Sequence, residues 1–137
     1  MSAENKELAR RITQELWNAG DLDRAEELIA DDFFDHGSHA GQRGGRDGYL
    51  ARLREVRSAF PDMRVVDEEL VAEGDVVVSR WEARGRHDGA WMGVAPTGRE
   101  VTVRGINVWR FEGGKAAERW NSYDALGLLQ QIGVRLP

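Results

Sequence analysis

One polar side chain stands within an apolar stretch of a predicted strand, where it could contact a substrate. Asn107 lies in the run VTVRGINVW. Twofold alternation places it on one face of the strand together with Val103, Gly105, Trp109 and Phe111. A buried amide needs a hydrogen-bond partner. That partner is either a substrate carbonyl or a neighbouring residue, so Asn107 is a candidate substrate-binding residue.

A carboxylate, Asp124, ends the last predicted strand in the run WNSYDALG. Alternation puts it on one face with Trp120 and Ser122, unless a bulge intervenes. If Asp124 faces a cavity, Trp120 then lines the same cavity. The Ala125-Leu126-Gly127 segment that follows also makes Asp124 a natural N-cap for a last helix. A capping aspartate can still face a cavity, so the two interpretations are compatible.

The histidines give no strong signature of a metal site. Asp35, His36 and His39 lie on one Gly-rich loop, whereas a convincing site draws three or four ligands from rigid elements. His87 ends a predicted strand and is either a turn residue or a group at the rim of a cavity. There is no cysteine, and no GxGxxG, Walker or GxSxG pattern occurs. We therefore predict no metal, no nucleotide cofactor and no acyl-serine chemistry.

Helices come first along the chain, and strands follow them. Apolar residues at helical spacing predict helices over 4–18, 22–30 and 46–59. A loop is predicted over 31–45, and Pro61 follows the third helix. Twofold alternation then predicts two pairs of strands, each pair joined by a hairpin turn, over 63–72 and 75–87 and over 99–111 and 116–124. A short helix is predicted over 125–132. This order predicts the α+β class.

The predicted strands are long, and long antiparallel strands twist and coil. The sheet should therefore curve under the helices and enclose a concave space. Trp81 alternates onto the face toward the helices, opposite to the charged residues Arg80, Glu82, Arg84 and Arg86. Trp91 and Met92 lie in the loop 88–98, and this apolar pair forms either a lid over the cavity or a patch against a second subunit.

Length and charge limit the classes of function. The 137 residues fit a single domain, 1–137. The net charge of −5 and the dispersed arginines argue against a nucleic-acid partner. The N-terminus MSAENKELARR is not a signal peptide, and no apolar run is long enough to span a membrane. These observations predict a cytoplasmic protein with no membrane partner.

Five stretches of the chain, in order, resemble the SnoaL-like polyketide (ester) cyclases. They are Asp35-His36, AFPDMRV (59–65), RGRHDGAWMGVAPTGREV (84–101), VWRFEGGKAAERW (108–120) and YDALGLLQQIG (123–133). The resemblance implies a cone-like α+β barrel with three N-terminal helices, a short C-terminal helix and an internal cavity. Its wider superfamily also contains ketosteroid isomerase-like enzymes, epoxide hydrolases and non-catalytic binding modules, so the fold alone does not fix the activity.

The resemblance further implies a cofactor-independent enzyme that closes a ring by an intramolecular aldol reaction on a hydrophobic carbonyl substrate. That reaction needs a base for the proton alpha to a carbonyl and a group that stabilises the enolate. By similarity to the family, Asp124 is the acid/base, and His36 or Asn107 stabilises the enolate. The pocket walls would be Trp81, Trp120, Trp91 and Phe60, with His87 as a further substrate-binding candidate.

Two other functions stay open at this point. A non-catalytic small-molecule-binding module would use the same cavity. An epoxide hydrolase would need an Asp–Arg–Asp-type network around a water, which Asp124 could form only with Arg104 or Arg110. The mixed apolar and charged outer face of the sheet, together with the habit of the family, predicts a homodimer. The residues that suggest this interface are Arg80, Arg84, Arg104 and Val108.

Overall fold

Five strands form one curved sheet in the spatial order β1-β5-β4-β3-β2. The computed structural model describes residues 2–37 and 44–135. Strands β2 (Arg64–Glu73), β3 (Val76–Arg86), β4 (Glu100–Glu112) and β5 (Lys115–Tyr123) are antiparallel neighbours. The predicted α+β class is confirmed, and these four strands lie within one or two residues of their predicted bounds.

The helices differ in detail from the prediction. The first comprises α1 (Ser2–Arg11) and a π-helical continuation, Ile12–Asn18. The second is shorter than predicted, with a 3₁₀ turn at Leu22–Arg24 and α2 at Ala25–Leu28. Helices α3 (Gly45–Ala59) and α4 (Ala125–Gln131) follow the predicted spans closely. Within the described residues, no helix is both long and apolar enough to cross a membrane.

A fifth strand occupies part of the segment that was predicted as a loop. Strand β1 (Ile29–Asp35) pairs with β5 in parallel at the edge of the sheet. The prediction missed it because the sequence IADDFFD is short and acidic. The structure buries Ile29 and Phe33 and exposes Asp31 and Asp32, which is a pattern that suits an edge strand with one solvated face.

Two bulges change which residues face the helices. The pairing of β2 with β3 shifts between Asp67 and Glu69, so Glu68 is the extra residue. The pairing of β5 with β4 shifts where Phe111 pairs with Ala116 and Arg110 pairs with Glu118, so Ala117 is the extra residue. Each extra residue inverts the alternation of the strand beyond it. The side chains that face the concave side of β5 are therefore Ala116, Arg119, Asn121 and Tyr123.

The helices are fastened to the sheet by polar contacts as well as by a buried core. The Asn18 side chain donates to the carbonyl of Val65 and accepts from its N–H, at 2.8 and 2.7 Å. The Arg57 guanidinium donates to the Trp17 carbonyl. Between these helices and the sheet, a first apolar cluster fills one end of the concave side, and a second cluster around Phe60 fills the other end. The candidate site lies where the two clusters meet.

Candidate functional site

A cavity of about 110 Å³, open to solvent at its mouth, lies between the helices and the concave face of the sheet. Its apolar wall comes mainly from the second cluster and consists of Val56, Phe60, Met63, Val65, Trp81, Trp91, Val101, Val103 and Leu128. The π-helical segment contributes Thr13 and Trp17. Such a space, with apolar walls and a few polar groups, suits a small hydrophobic ligand.

One glycine allows the largest wall residue to lie flat. Gly105 on β4 pairs with Trp81 on β3. A Cβ atom at Gly105 would come within 2.4 Å of the Trp81 indole. The indole therefore lies against bare backbone, where any side chain at residue 105 would push it into the cavity.

Asp67 is the acidic residue that lines the cavity within the described part of the chain. It lies directly before the bulge on β2 and pairs with Trp81. The hydroxyl of Ser79, itself almost fully buried, donates to Asp67 Oδ1 at 2.5 Å. Because that bond engages one carboxylate oxygen, Oδ2 is left to accept a proton from a ligand. An acidic group fixed this way in a mostly apolar cavity can act in acid/base chemistry.

Asn107 also lines the cavity, and a buried ion pair fixes its orientation. Arg119 Nη1 donates to Asp35 Oδ2 at 2.9 Å, and both side chains are less than a tenth exposed. Arg119 Nε donates to Asn107 Oδ1 at 3.1 Å. Because the amide oxygen is the acceptor in this bond, the Asn107 Nδ2 group points away from Arg119. That N–H is the group that can donate to a ligand carbonyl.

The same ion pair rests on a cluster of aromatic rings. The Arg119 guanidinium lies 5.6 Å from the ring centres of both Tyr49 and Trp109. The Tyr49 hydroxyl accepts from Trp17 Nε1 at 2.7 Å. Desolvation by burial raises the pKa of Tyr49 to about 12, against the opposing effect of the nearby Arg119 charge. Tyr49 is therefore a neutral structural group at physiological pH.

This environment gives a prediction for alkaline titration. We expect the near-ultraviolet phenolate absorbance to show one tyrosine that ionises near pH 12. The unfolded chain loses this proton near pH 10, so the folded state binds it more tightly, and stability falls as pH rises from about 10 to about 12. Tyr49→Phe should remove the late transition, and Tyr123→Phe should keep it. A late transition that survives Tyr49→Phe would contradict the assignment.

Four of the predicted substrate-binding residues line the cavity. These are Phe60, Trp81, Trp91 and Asn107. Trp91 is 6% exposed and packs edge-on against Phe60, with ring centres 5.9 Å apart. Its loop thus forms a wall of the cavity. Met92 at the loop tip is 57% exposed.

Asp124 does not line the cavity, so the prediction that it faces inward is wrong. Its side chain accepts from the Gly127 N–H at 2.8 Å and caps α4, and the residue is exposed. The reason is the bulge at Ala117, which turns Asn121 and Tyr123 inward instead of Trp120 and Ser122. The N-cap interpretation is confirmed, and the catalytic role implied by the resemblance loses its geometric basis.

His36 and Trp120 lie on the convex side of the sheet. Their rings stack at 4.4 Å with a 4° angle between planes. His36 Nε2 is 2.8 Å from Glu118 Oε2, whose other oxygen accepts from Arg110 at 2.6 Å. The hydrogen bond with His36, which has the larger effect, and the one from Arg110 hold the pKa of Glu118 below its usual range. The prediction that His36 and Trp120 contact the cavity is therefore wrong, since β1 and β5 direct both rings outward.

His87 is fully buried next to the cavity wall and is not exposed at a rim. The Thr97 N–H donates to His87 Nδ1 at 3.2 Å, and the His87 backbone bonds Gly98 and Arg99. A backbone N–H can donate only to an unprotonated ring nitrogen, so Nδ1 is the acceptor in this hydrogen bond. His87 closes the base of the loop that carries Trp91 and packs 5.6 Å from Phe60. Of its two predicted roles, the turn residue is the one that the structure supports.

Sequence reasoning missed several polar residues of the cavity, among them three on β2 and β5. Asp67, Arg119 and Asn121 are polar residues within predicted strands, and local alternation does not tell an inward polar side chain from a solvated one. Asn121 pairs with Asn107 across the strands, and its Oδ1 is buried without a partner among the described residues. The doubling at Ala116-Ala117, where small residues follow the Gly113-Gly114 turn, was the available signal for a bulge. The position of the bulge along β5 follows only from the pairing of β5 with β4.

The described residues contain no group of three or more His, Cys, Asp or Glu side chains placed to hold a metal ion. His39, which was considered with Asp35 and His36, lies outside the described residues.

Comparison with known proteins decides the family. A sequence model of the SnoaL-like polyketide cyclases matches residues 7–132. The chain belongs to the SnoaL-like polyketide cyclase family. It is 28% identical to the aklanonic acid methyl ester cyclase DnrD of Streptomyces peucetius over 134 residues, which cover 96% of this chain and 92% of DnrD.

Two solved structures share the fold over nearly the whole chain. TsrD of Streptomyces laurentii superposes with a TM-score of 0.88 at 27% identity, covering 96% of both chains. IdmH of Streptomyces antibioticus superposes with a TM-score of 0.82 at 33% identity, covering 95% of this chain and 99% of IdmH. The family predicted from the sequence motifs is confirmed.

Proposed function

We propose that this family member is a cofactor-independent cyclase that performs aldol-type acid/base chemistry on a hydrophobic polyketide carbonyl compound bound in the cavity. The observation that carries the proposal is the placement of Asp67 and Asn107 in one apolar cavity. Each is oriented by a second residue, Ser79 or Arg119, which leaves a carboxylate oxygen and an amide N–H for the ligand. DnrD, a relative of similar length, is named for ring closure of a methyl ester.

The reaction follows from these two groups. Asp67 Oδ2 takes the proton alpha to a substrate carbonyl, and the C–H electrons move onto the carbonyl oxygen. The Asn107 Nδ2–H donates to that oxygen and stabilises the enolate. The enolate carbon then attacks a second carbonyl of the same molecule, and the new alkoxide takes a proton from Asp67. The product has the same composition as the substrate, and Asp67 ends as a carboxylate.

This assignment replaces the role first given to Asp124. A general base must lie within hydrogen-bond reach of the proton that it removes. Asp67 lines the cavity, whereas Asp124 is exposed and engaged with α4. The walls that were predicted from the sequence, Trp81, Trp91 and Phe60, keep their proposed role as substrate contacts.

A test that does not depend on the natural substrate uses exchange of an alpha proton. We expect the protein to accelerate deuterium uptake at the carbon alpha to the carbonyl of 1-tetralone in D₂O, followed by mass spectrometry, with no metal or cofactor added. A second arm offers aklanonic acid and its methyl ester separately and looks for conversion of either one to a product of unchanged mass. Tight binding of tetralone without exchange, and no conversion, would favour the alternative of a non-catalytic binding module.

The epoxide hydrolase alternative is disfavoured. Arg104 and Arg110, the arginines considered for it, pair with Glu82 and Glu118 on the convex side. Arg119 does line the cavity, but its guanidinium donates to one carboxylate, Asp35, and to one amide, Asn107. That network supplies a single acidic partner where two are needed.

The predicted homodimer is part of this proposal, as is the cytoplasmic location. The convex face of the sheet exposes several large apolar side chains among its ion pairs: Phe34, Val66, Val71, Ile106 and Trp120. Exposed apolar groups clustered on one face are typical of an interface. We propose that two copies associate through this face.

We expect Ile106→Glu to give a monomer in sedimentation velocity, because a charge would be buried at the centre of the interface. Leu126→Glu is the matched control, since Leu126 is equally exposed, at 47%, but lies on α4. It should leave the wild-type dimer intact. A wild-type monomer, or a dimer that survives Ile106→Glu, would remove this proposal.

A further inference from the structure

One cation of the cavity has no acidic partner. Arg52 on α3 lines the cavity and is half-buried. Within the described residues, no carboxylate lies within the 4.0 Å of an ion pair from its guanidinium. The other two cavity arginines are neutralised, because Arg119 pairs with Asp35 and Arg84 pairs with Glu82. A half-buried guanidinium without a counter-ion is prepared for a ligand that brings one.

Two neutral donors surround this cation. Arg52 Nη2 donates to the Tyr123 hydroxyl at 3.4 Å, so the Tyr123 O–H keeps its own proton to donate. The Arg52 guanidinium lies 5.7 Å from the centre of the Trp91 ring. Trp91 Nε1 is buried and has no partner among the described residues. The cluster thus combines one positive charge, on Arg52, with two neutral hydrogen-bond donors, on Tyr123 and Trp91.

The composition of this cluster specifies its ligand. One guanidinium with neutral donors balances one negative charge, whereas a phosphate group would call for a second free cation. A guanidinium also matches the two oxygens of a planar carboxylate. We propose that Arg52, with Tyr123 and Trp91, binds a carboxylate of the substrate, so that the enzyme acts on a free acid rather than on its ester. This inference rests on the proposed function, because it concerns the ligand of the same cavity.

The test compares an aromatic acid with its ester. The probes are anthraquinone-2-carboxylate and its methyl ester, and binding to the full chain is measured by quenching of tryptophan fluorescence. We expect the wild type to bind the acid about tenfold more tightly than the ester, the size of one charge-assisted hydrogen bond. Arg52→Gln and Arg52→Met should lose this preference and keep the wild-type affinity for the ester. Arg54→Gln, at an exposed arginine on the same helix, should keep it.

A second readout needs no variant. Added sodium chloride should weaken binding of the acid by the wild type and leave binding of the ester unchanged, because screening acts on the charged pair. Equal binding of acid and ester, or a preference that survives both Arg52 substitutions, would overturn this inference and leave the role of Asp67 intact. If neither probe binds, the apolar cavity does not take aromatic ligands, and the proposed function fails together with the inference.

Discussion

Asp67→Asn is expected to lower the rate of alpha-proton exchange by about 10²- to 10⁴-fold, the usual contribution of a positioned general base. The substitution keeps the shape of the side chain and its bond to Ser79, and it removes the ability to take a proton. Binding of the tetralone probe should change little. The measurement is deuterium uptake by mass spectrometry, together with the dissociation constant of the probe.

Asp124→Asn is the decisive control for this prediction. Asp124 caps α4 from an exposed position, and Asn is also a good N-cap. This variant should exchange the alpha proton at the wild-type rate. If Asp124→Asn abolished exchange and Asp67→Asn did not, the assignment of the base to Asp67 would be wrong. The role first inferred from the family resemblance would then be restored.

Ser79 provides a graded test of the same site. Its hydroxyl holds Asp67 Oδ1 at 2.5 Å and has no route to the reacting carbon in the mechanism, so Ser79 is a positioning residue. Ser79→Ala should lower kcat and shift the pH profile of exchange, with a smaller loss than Asp67→Asn gives. Rescue by Ser79→Thr would separate the lost hydroxyl from a merely structural effect.

The second large effect concerns stability. Arg119→Met should lower the free energy of unfolding by about 3–5 kcal/mol, because it removes the guanidinium that pairs with the buried Asp35 carboxylate. Both side chains of this pair are less than a tenth exposed. The same substitution removes the donor that orients Asn107, so exchange activity should fall as well. Urea denaturation followed by circular dichroism measures the first effect.

The matched control is Arg110→Met on the convex side of the same sheet. Arg110 pairs with Glu118 and Glu112 at the surface, where ion pairs contribute about 0–1 kcal/mol. The double variant Arg119→Met with Asp35→Asn should recover part of the loss, because it removes the buried negative charge together with the positive one. A single-variant loss as small as that of Arg110→Met would show that the Asp35–Arg119 pair does not stabilise the fold.

Local patterns and motifs in the sequence were enough to predict the class, the family and most element bounds. Helical spacing before Pro61 and twofold alternation after it located three of the helices and four of the strands within a few residues. These signals are local, because periodicity reports which residues of one element are apolar. The inward face of β3, with Trp81, and of β4, with Asn107, also followed from local alternation, because these two strands pair without a register shift.

Which polar residues of β2 and β5 enter the cavity depends on how the strands pair and could not be predicted from the sequence. The extra residue Ala117 inverts the alternation of β5, so that Asn121 lies on the inner face instead of Trp120 and Ser122. On β2, Asp67 pairs with Trp81 directly before the extra residue Glu68. Arg119 meets Asp35 across a separation of 84 residues. A bulge is defined by pairing between strands, and an ion pair by where two strands lie in the sheet. Neither is encoded in the periodicity of a single segment.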